Sequence, residues 1–135
     1  MRKILVPTDG SAYSLKAAKY AAKLARELGS TVSILHVSSY HPRVRARELV
    51  EEEQKTATDI LSKTKRIFDE ANVSVELMRL EFGHPADIIC TIAQKGGFDL
   101  IVMGEKGAHK IGRFMLGSIA DRVSHHAKCP VLIVR

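Results

Sequence analysis

This sequence predicts an α/β fold built on a parallel sheet, and three observations predict it. Short apolar, β-branched runs alternate along the chain with longer segments of helical period. Two of those runs, Ile4–Val6 and Leu100–Met103, are continuously apolar, as strands buried on both faces are. The third is size: 135 residues, 45% of them apolar, suit one domain spanning residues 1–135 around one core.

The first strand, Ile4–Val6, runs into Pro7-Thr8-Asp9-Gly10-Ser11, where Ser11 is a good helix N-cap. From Ala12 to Leu28, Leu15, Ala18, Ala22 and Ala25 make an apolar stripe, and Lys16, Lys19, Lys23 and Arg26 make a basic one. Gly29 closes this first helix. Thr31–Val37 reads as the second strand, and residues 38–44 as a loop around Pro42. Arg45–Ala71 is the second helix, its stripe running through Leu49, Val50, Ala57, Ile60, Leu61, Thr64, Ile67, Phe68 and Ala71. Val73–Leu80 alternates apolar and polar residues, the mark of an edge strand. Pro85 occupies the first turn of a third helix, with Ile88, Ile89, Ile92 and Ala93 inward and Gly96-Gly97 ending it. Asp99–Met103 is a central strand, and Gly104–Leu116 is a glycine-rich segment without a period. Ser118–Ala127 forms the last helix, with Ile119, Ala120 and Val123 inward, and Pro130–Val134 the last strand.

Five strands and four helices with right-handed crossovers give a three-layer sandwich whose sheet order is 3-2-1-4-5. In that order the winding reverses between the first and fourth strands, and open α/β sheets bind ligands at such a reversal. The segments placed there are 7–11 and 103–118.

Composition excludes several classes. No apolar run approaches the roughly 20 residues of a membrane helix, and the N-terminus lacks the long apolar core of a signal peptide. Two cysteines, Cys90 and Cys129, make no disulfide framework and no metal spacing, so inert thiols are expected. A soluble intracellular domain is the expectation. The net charge of +6, from 21 Lys plus Arg against 15 Asp plus Glu, favours an anionic partner.

Gly104, Gly107, Gly112 and Gly117 fall within fourteen residues, where backbone amides can approach an anion closely. Gly117-Ser118 then opens a helix whose N-terminal amides and dipole favour phosphate. Lys106, His109, Lys110 and Arg113 add positive charge, and Glu105 is expected to point away. There is no Walker A sequence, and the first turn, Thr8-Asp9-Gly10-Ser11, is not a dinucleotide fingerprint.

The spacing Gly104-x2-Gly107-x9-Gly117-Ser118 resembles the ATP-binding motif of the universal stress protein family. Lys3–Ser11, Ile34–Val37, Ile101–Gly104 and Cys129–Val134 extend the resemblance over essentially the whole chain. It implies an adenine nucleotide alpha hydrolase-like fold and ATP binding, with Mg²⁺ or Mn²⁺. It also implies a stress-linked cytoplasmic role and a homodimer. Pro7 and Thr8 would shape the pocket floor and Asp9 would sit by the ribose. Val37 would meet adenine through its backbone, a role weighed equally against plain core packing. Met103, Gly104 and Gly107 would line the nucleotide loop, and Gly117, Ser118 and Ile119 would take the phosphates. Glu105 stands where motif-bearing members often carry small or polar residues.

The remaining features read as structure. His125-His126 point about 100° apart on a helix and do not share an ion easily. His36 and His84 have no ligand partner at i+4. The Arg43/Arg45/Arg47 cluster is followed by Glu48 and Glu51–Glu53, and no nucleic-acid motif accompanies it. No nucleophile–base pair or G-x-S-x-G elbow occurs, so ATP hydrolysis is expected to be slow or absent. A weak ATPase and a binder of AMP or cyclic AMP are the alternatives. The apolar last strand, 130–134, is the candidate dimer edge.

Overall fold

In the first strand, β1 (Lys3–Pro7), successive side chains leave opposite faces of the sheet, and that alternation builds the two halves of the core. Ile4 and Val6 enter one half and Leu5 the other. The computed structural model describes residues 1–39, 47–108 and 111–135. Among them β1 is followed by α1 (Ala12–Leu28), β2 (Thr31–Ser38), α2 (Arg47–Glu70) and β3 (Val75–Phe82). Then come α3 (Pro85–Lys95), β4 (Leu100–Gly104), α4 (Ser118–His126) and β5 (Val131–Val134).

The five strands form one sheet in the order β3-β2-β1-β4-β5, with every pairing parallel. This is the predicted topology. β1 pairs with both β2 and β4, through Ile4↔Val32 and Ile4↔Leu100. α1 and α2 pack on one face, over Ile4, Val6, Val32, Ile34, Leu100 and Val102. α3 and α4 pack on the other, over Leu5, Leu35, Ile101 and Met103. The helices therefore change faces after β3, and the winding reverses between β1 and β4.

α1 has the predicted bounds. Ser11 caps it by accepting from the Ser14 N–H, and Gly29 closes it with φ 67, a left-handed conformation that glycine adopts without strain. Its buried face is turned relative to expectation. Ser14, Ala17, Ala18, Ala21, Ala22 and Ala25 are buried, while Leu15 is only half-buried. Small side chains let the helix axis approach the sheet closely, and a leucine at the contact centre would hold it off. Lys16, Lys19, Lys23 and Arg26 are all exposed, as expected of a solvated face.

Other elements shift modestly. β3 starts at Val75 and runs to Phe82, because β2 continues to Ser38 and offers Phe82 a partner. It is an edge strand, as its alternation predicted. In α3 the fully buried residues are Ala86, Ile89 and Ala93, with Ile88 and Ile92 half-buried. In α4, Ala120 and Val123 are buried, but Ile119 faces outward at 38% exposure. The predicted start of the second helix at Arg45 and the loop around Pro42 lie outside the described residues.

Candidate functional site

β1 ends at Pro7 and β4 at Gly104, side by side at the winding reversal, and the segments beyond them diverge to opposite faces. The gap they leave is a cleft of about 260 Å³. Pro7, Thr8, Asp9, Val37, Met103, Gly104, Gly107, Gly117, Ser118 and Ile119 all line it. Sequence reasoning did not single out Leu35, Pro85, Ile89, Ala108 or Ile111, which also line it. Leu35, Pro85 and Ile89 were legible as structural residues, and only the fold shows that they face the cleft.

The floor is a hydroxyl network. Thr8 Oγ1 shares a hydrogen bond of 2.9 Å with Thr64 Oγ1 of α2 and donates to Ser14 Oγ at 3.2 Å. The Gly10 N–H donates to Thr8 Oγ1 at 3.2 Å. The Thr8 carbonyl lies 2.8 Å from His36 Nδ1; a carbonyl only accepts, so Nδ1 carries the proton. His36 is thus a buried, bonded core histidine of β2.

Val37 is half-buried near the end of β2. The Leu35 carbonyl accepts from the Thr8 N–H at 2.8 Å, so Leu35 turns its backbone groups toward β1. Backbone direction repeats every second residue, and Val37 therefore presents its N–H and C=O on the same side, past the end of β1. Leu35, Pro85, Ile89 and Met103 supply apolar wall beside it.

Asp9 is engaged at both carboxylate oxygens. Oδ1 accepts from the Ser11 N–H at 2.9 Å and from Ser14 Oγ at 3.0 Å. Oδ2 accepts from the Ala108 N–H at 2.9 Å. Burial pushes this carboxyl up, but the hydrogen bonds from Ser11, Ser14 and Ala108 together outweigh it and hold it below its ordinary value.

The motif glycines are required by space. None of Gly104, Gly107 and Gly117 has a positive φ. A Cβ on Gly104 would stand 2.8 Å from the Tyr13 carbonyl oxygen, and one on Gly107 would stand 2.8 Å from Asp9 Oδ2. One on Gly117 would meet the Glu105 carbonyl oxygen at 3.0 Å. The expected close approach of backbone to a ligand is therefore joined by close approach of the protein to itself.

Gly117, with extended ψ 149, is the N-cap of α4, and Ser118 is its first helical residue. The expected serine cap is not formed. The Gly117 N–H donates to the Glu105 carbonyl at 2.7 Å, and the Glu105 N–H donates to the Val134 carbonyl at 3.0 Å. Lys106 lines the cleft and its Nζ donates to the Arg113 carbonyl at 2.9 Å. The Arg113 guanidinium lies 5.7 Å from the centre of the Phe114 ring. His109 and Lys110, expected beside the anion, lie outside the described residues.

Cys90 and Cys129 are half-buried free thiols packed against the α3–α4 half of the core. Burial pushes both thiols up, and the Asp87 charge adds to it at Cys90, so both are poor nucleophiles at neutral pH.

Fold and cleft together define an open α/β protein with a glycine-rich crevice at its topological switch point, the class in which ligands sit outside the strands' carboxyl ends. The sequence profile of the Universal stress protein family matches residues 1–135. The chain belongs to the universal stress protein family. Universal stress protein MJ0531 of Methanocaldococcus jannaschii is 40% identical over 99% of this chain and 82% of its own length. A solved universal stress protein in complex with cAMP superposes with a TM-score of 0.81 at 26% identity, covering 99% of this chain and 97% of that one. The universal stress protein from Archaeoglobus fulgidus in complex with dAMP gives a TM-score of 0.77 at 25% identity, covering 100% and 98%.

Proposed function

We propose that this protein binds an adenine nucleotide, ATP foremost, in the β1–β4 cleft, and acts as a nucleotide-responsive regulatory domain in a stress response. The observation that carries the reading is convergence. Ten residues chosen from four separate stretches of sequence line one cleft at the winding reversal. In this reading adenine lies against Leu35, Val37, Pro85 and Ile89, and the Val37 backbone supplies its polar contacts. The phosphates lie at the start of α4. The Gly117 N–H is already bonded to Glu105, so the amides of Ser118, Ile119 and Ala120 are the donors assigned to them. Lys106, half-buried at the rim, supplies charge.

Mg²⁺ or Mn²⁺ would neutralise the triphosphate. Among the described residues no group of three or more His, Cys, Asp or Glu is placed to hold a metal, and both Asp9 oxygens are already engaged. The site fits an ion carried by phosphate oxygens and water, the usual habit of Mg²⁺, and not one caged by the protein.

Binding would order the segment around residues 104–117, where Ile111, Phe114, Met115 and Leu116 are exposed, and so alter a surface that a protein partner reads. The rest of the proposal is a cytoplasmic homodimer joined through β5, in one domain, without nucleic-acid or membrane partners. No described helix is long and apolar enough to cross a membrane. We further propose binding without appreciable turnover. Phosphate release under saturating Mg-ATP tests that point, and a rate lost in Ser118→Ala would favour a weak ATPase instead.

A second reading, AMP or cyclic AMP in place of ATP, is favoured by the two structural relatives solved with cAMP and dAMP. Titration calorimetry with ATP, AMP and cyclic AMP separates the readings. ATP should bind the wild type and fail to bind a Gly117→Val, Ser118→Val variant. No heat from any nucleotide, or equal binding by the variant, would sink the proposal.

A further inference from the structure

The Asp9 carboxylate joins the two walls of the cleft. Its Oδ1 belongs to the β1–α1 turn, where the Ser11 N–H and Ser14 Oγ hold it at the start of α1, an end of the helix dipole that favours negative charge. Its Oδ2 accepts the Ala108 N–H, from a residue 99 positions along the chain on the far wall. Residue 107 has no side chain to intervene, and a Cβ there would stand 2.8 Å from Oδ2.

The glycine-rich segment has few other ties. Its start is fixed by the Glu105 N–H on Val134, and its end by the Gly117 N–H on Glu105. Between them, among the described residues, the Lys106–Arg113 and Met115–Gly112 bonds stay within the segment. The Ala108–Asp9 bond is the described one that ties its middle to the rest of the protein.

We propose that Asp9 is a latch that fixes the glycine-rich loop against the first loop before any ligand arrives, a positioning residue and not a ribose ligand. A ribose hydroxyl donating to Oδ2 would have to displace the Ala108 N–H. Releasing that amide would free the middle of the loop that the nucleotide needs ordered. Keeping the latch closed spares the ordering cost at binding. The part played in affinity rests on the nucleotide reading above; the latch itself does not.

The test has two arms. In the ligand-free full chain, amide hydrogen exchange should show the Ala108 N–H protected. Asp9→Ala should speed its exchange by at least about tenfold while the β4 amides Ile101–Met103 keep theirs. Gly107→Ala, which drives a methyl into Oδ2, should do the same and serves if Asp9→Ala folds poorly. An Ala108 amide that exchanges equally fast in wild type and variants overturns the latch. In the second arm, Asp9→Ala should weaken ATP and 2′,3′-dideoxy-ATP by the same factor. A loss confined to ATP makes Asp9 a ribose ligand and overturns the proposal. If the wild type binds neither nucleotide, the nucleotide reading fails and the exchange arm alone decides the latch.

Discussion

Ser118 and Gly117 exchange the roles that their identities suggest. A serine before a helix reads as its cap, yet the cap is Gly117, and Ser118 is the first helical residue. The reason is steric and lies elsewhere in the chain. The Glu105 carbonyl and Lys106 Cα crowd the position, and a Cβ would meet them at 3.0 and 3.1 Å. Sequence spacing marked both residues without revealing this division. Asp9 is a similar case. Its predicted Asx turn is present, since the Ser11 N–H donates to Oδ1, but the bond from Ala108 depends on a loop that no local pattern could place. These bonds hold its folded-state value below the ordinary carboxylate value. A lowered value means stability that is present above the unfolded value of about 3.9 and is lost as pH falls through the folded one. Urea midpoints followed by circular dichroism at pH 7, 5 and 3 check this. Asp9→Asn should be less stable than wild type by a constant margin at pH 7 and 5, and the margin should shrink at pH 3. A margin that grows on acidification contradicts the bond pattern.

Elements were legible where their signals are local. α1 keeps its predicted bounds because Ser11 and Gly29 are both capping signals written in the sequence. The face of α1 was not legible to the same degree. Periodicity ranked Leu15 as core, but contact with the sheet is made by Ala17, Ala18, Ala21 and Ala22, because the α1–β4 approach is close. Gly104 at the end of β4 measures that closeness, with Tyr13 backbone atoms of α1 2.8 and 2.9 Å from where its Cβ would be. These are backbone atoms and do not swing aside. Gly104→Ala should therefore push α1 from the sheet and cost about 1–3 kcal/mol, as overpacking of a tight contact does. Urea unfolding of the pair of proteins measures it. No change in midpoint would show that the first helix can give way without strain. β3 was misjudged by two residues at each end, because strand length is set by the partner. Val75 to Phe82 follow the reach of β2, which its own sequence does not record.

At the scale of the whole molecule, an open sheet leaves two edges, and β5 forms one of them. The Pro130 and Val134 carbonyls accept from Ile101 and Glu105 on the β4 side. Backbone direction alternates, so Leu132 also faces β4 while Val131 and Ile133 turn their N–H and C=O groups to the open side. The strand has four residues, all apolar and half-buried, with neither the charge nor the proline that commonly blunts an edge. A second copy of the strand laid antiparallel would satisfy those outward groups on both chains through one two-fold axis. This arrangement makes a sharp prediction for the proposed homodimer. Ile133→Pro removes one outward N–H and leaves the β4 ladder intact, as edge positions permit. Sedimentation equilibrium should give twice the chain mass of 14.9 kDa for the wild type and the single-chain mass for Ile133→Pro. The circular dichroism of the variant should remain that of a folded α/β chain. A wild type that sediments as a monomer removes the homodimer from the proposal. A variant that stays dimeric moves the contact away from β5, toward the exposed Phe114 and Met115 beside the cleft.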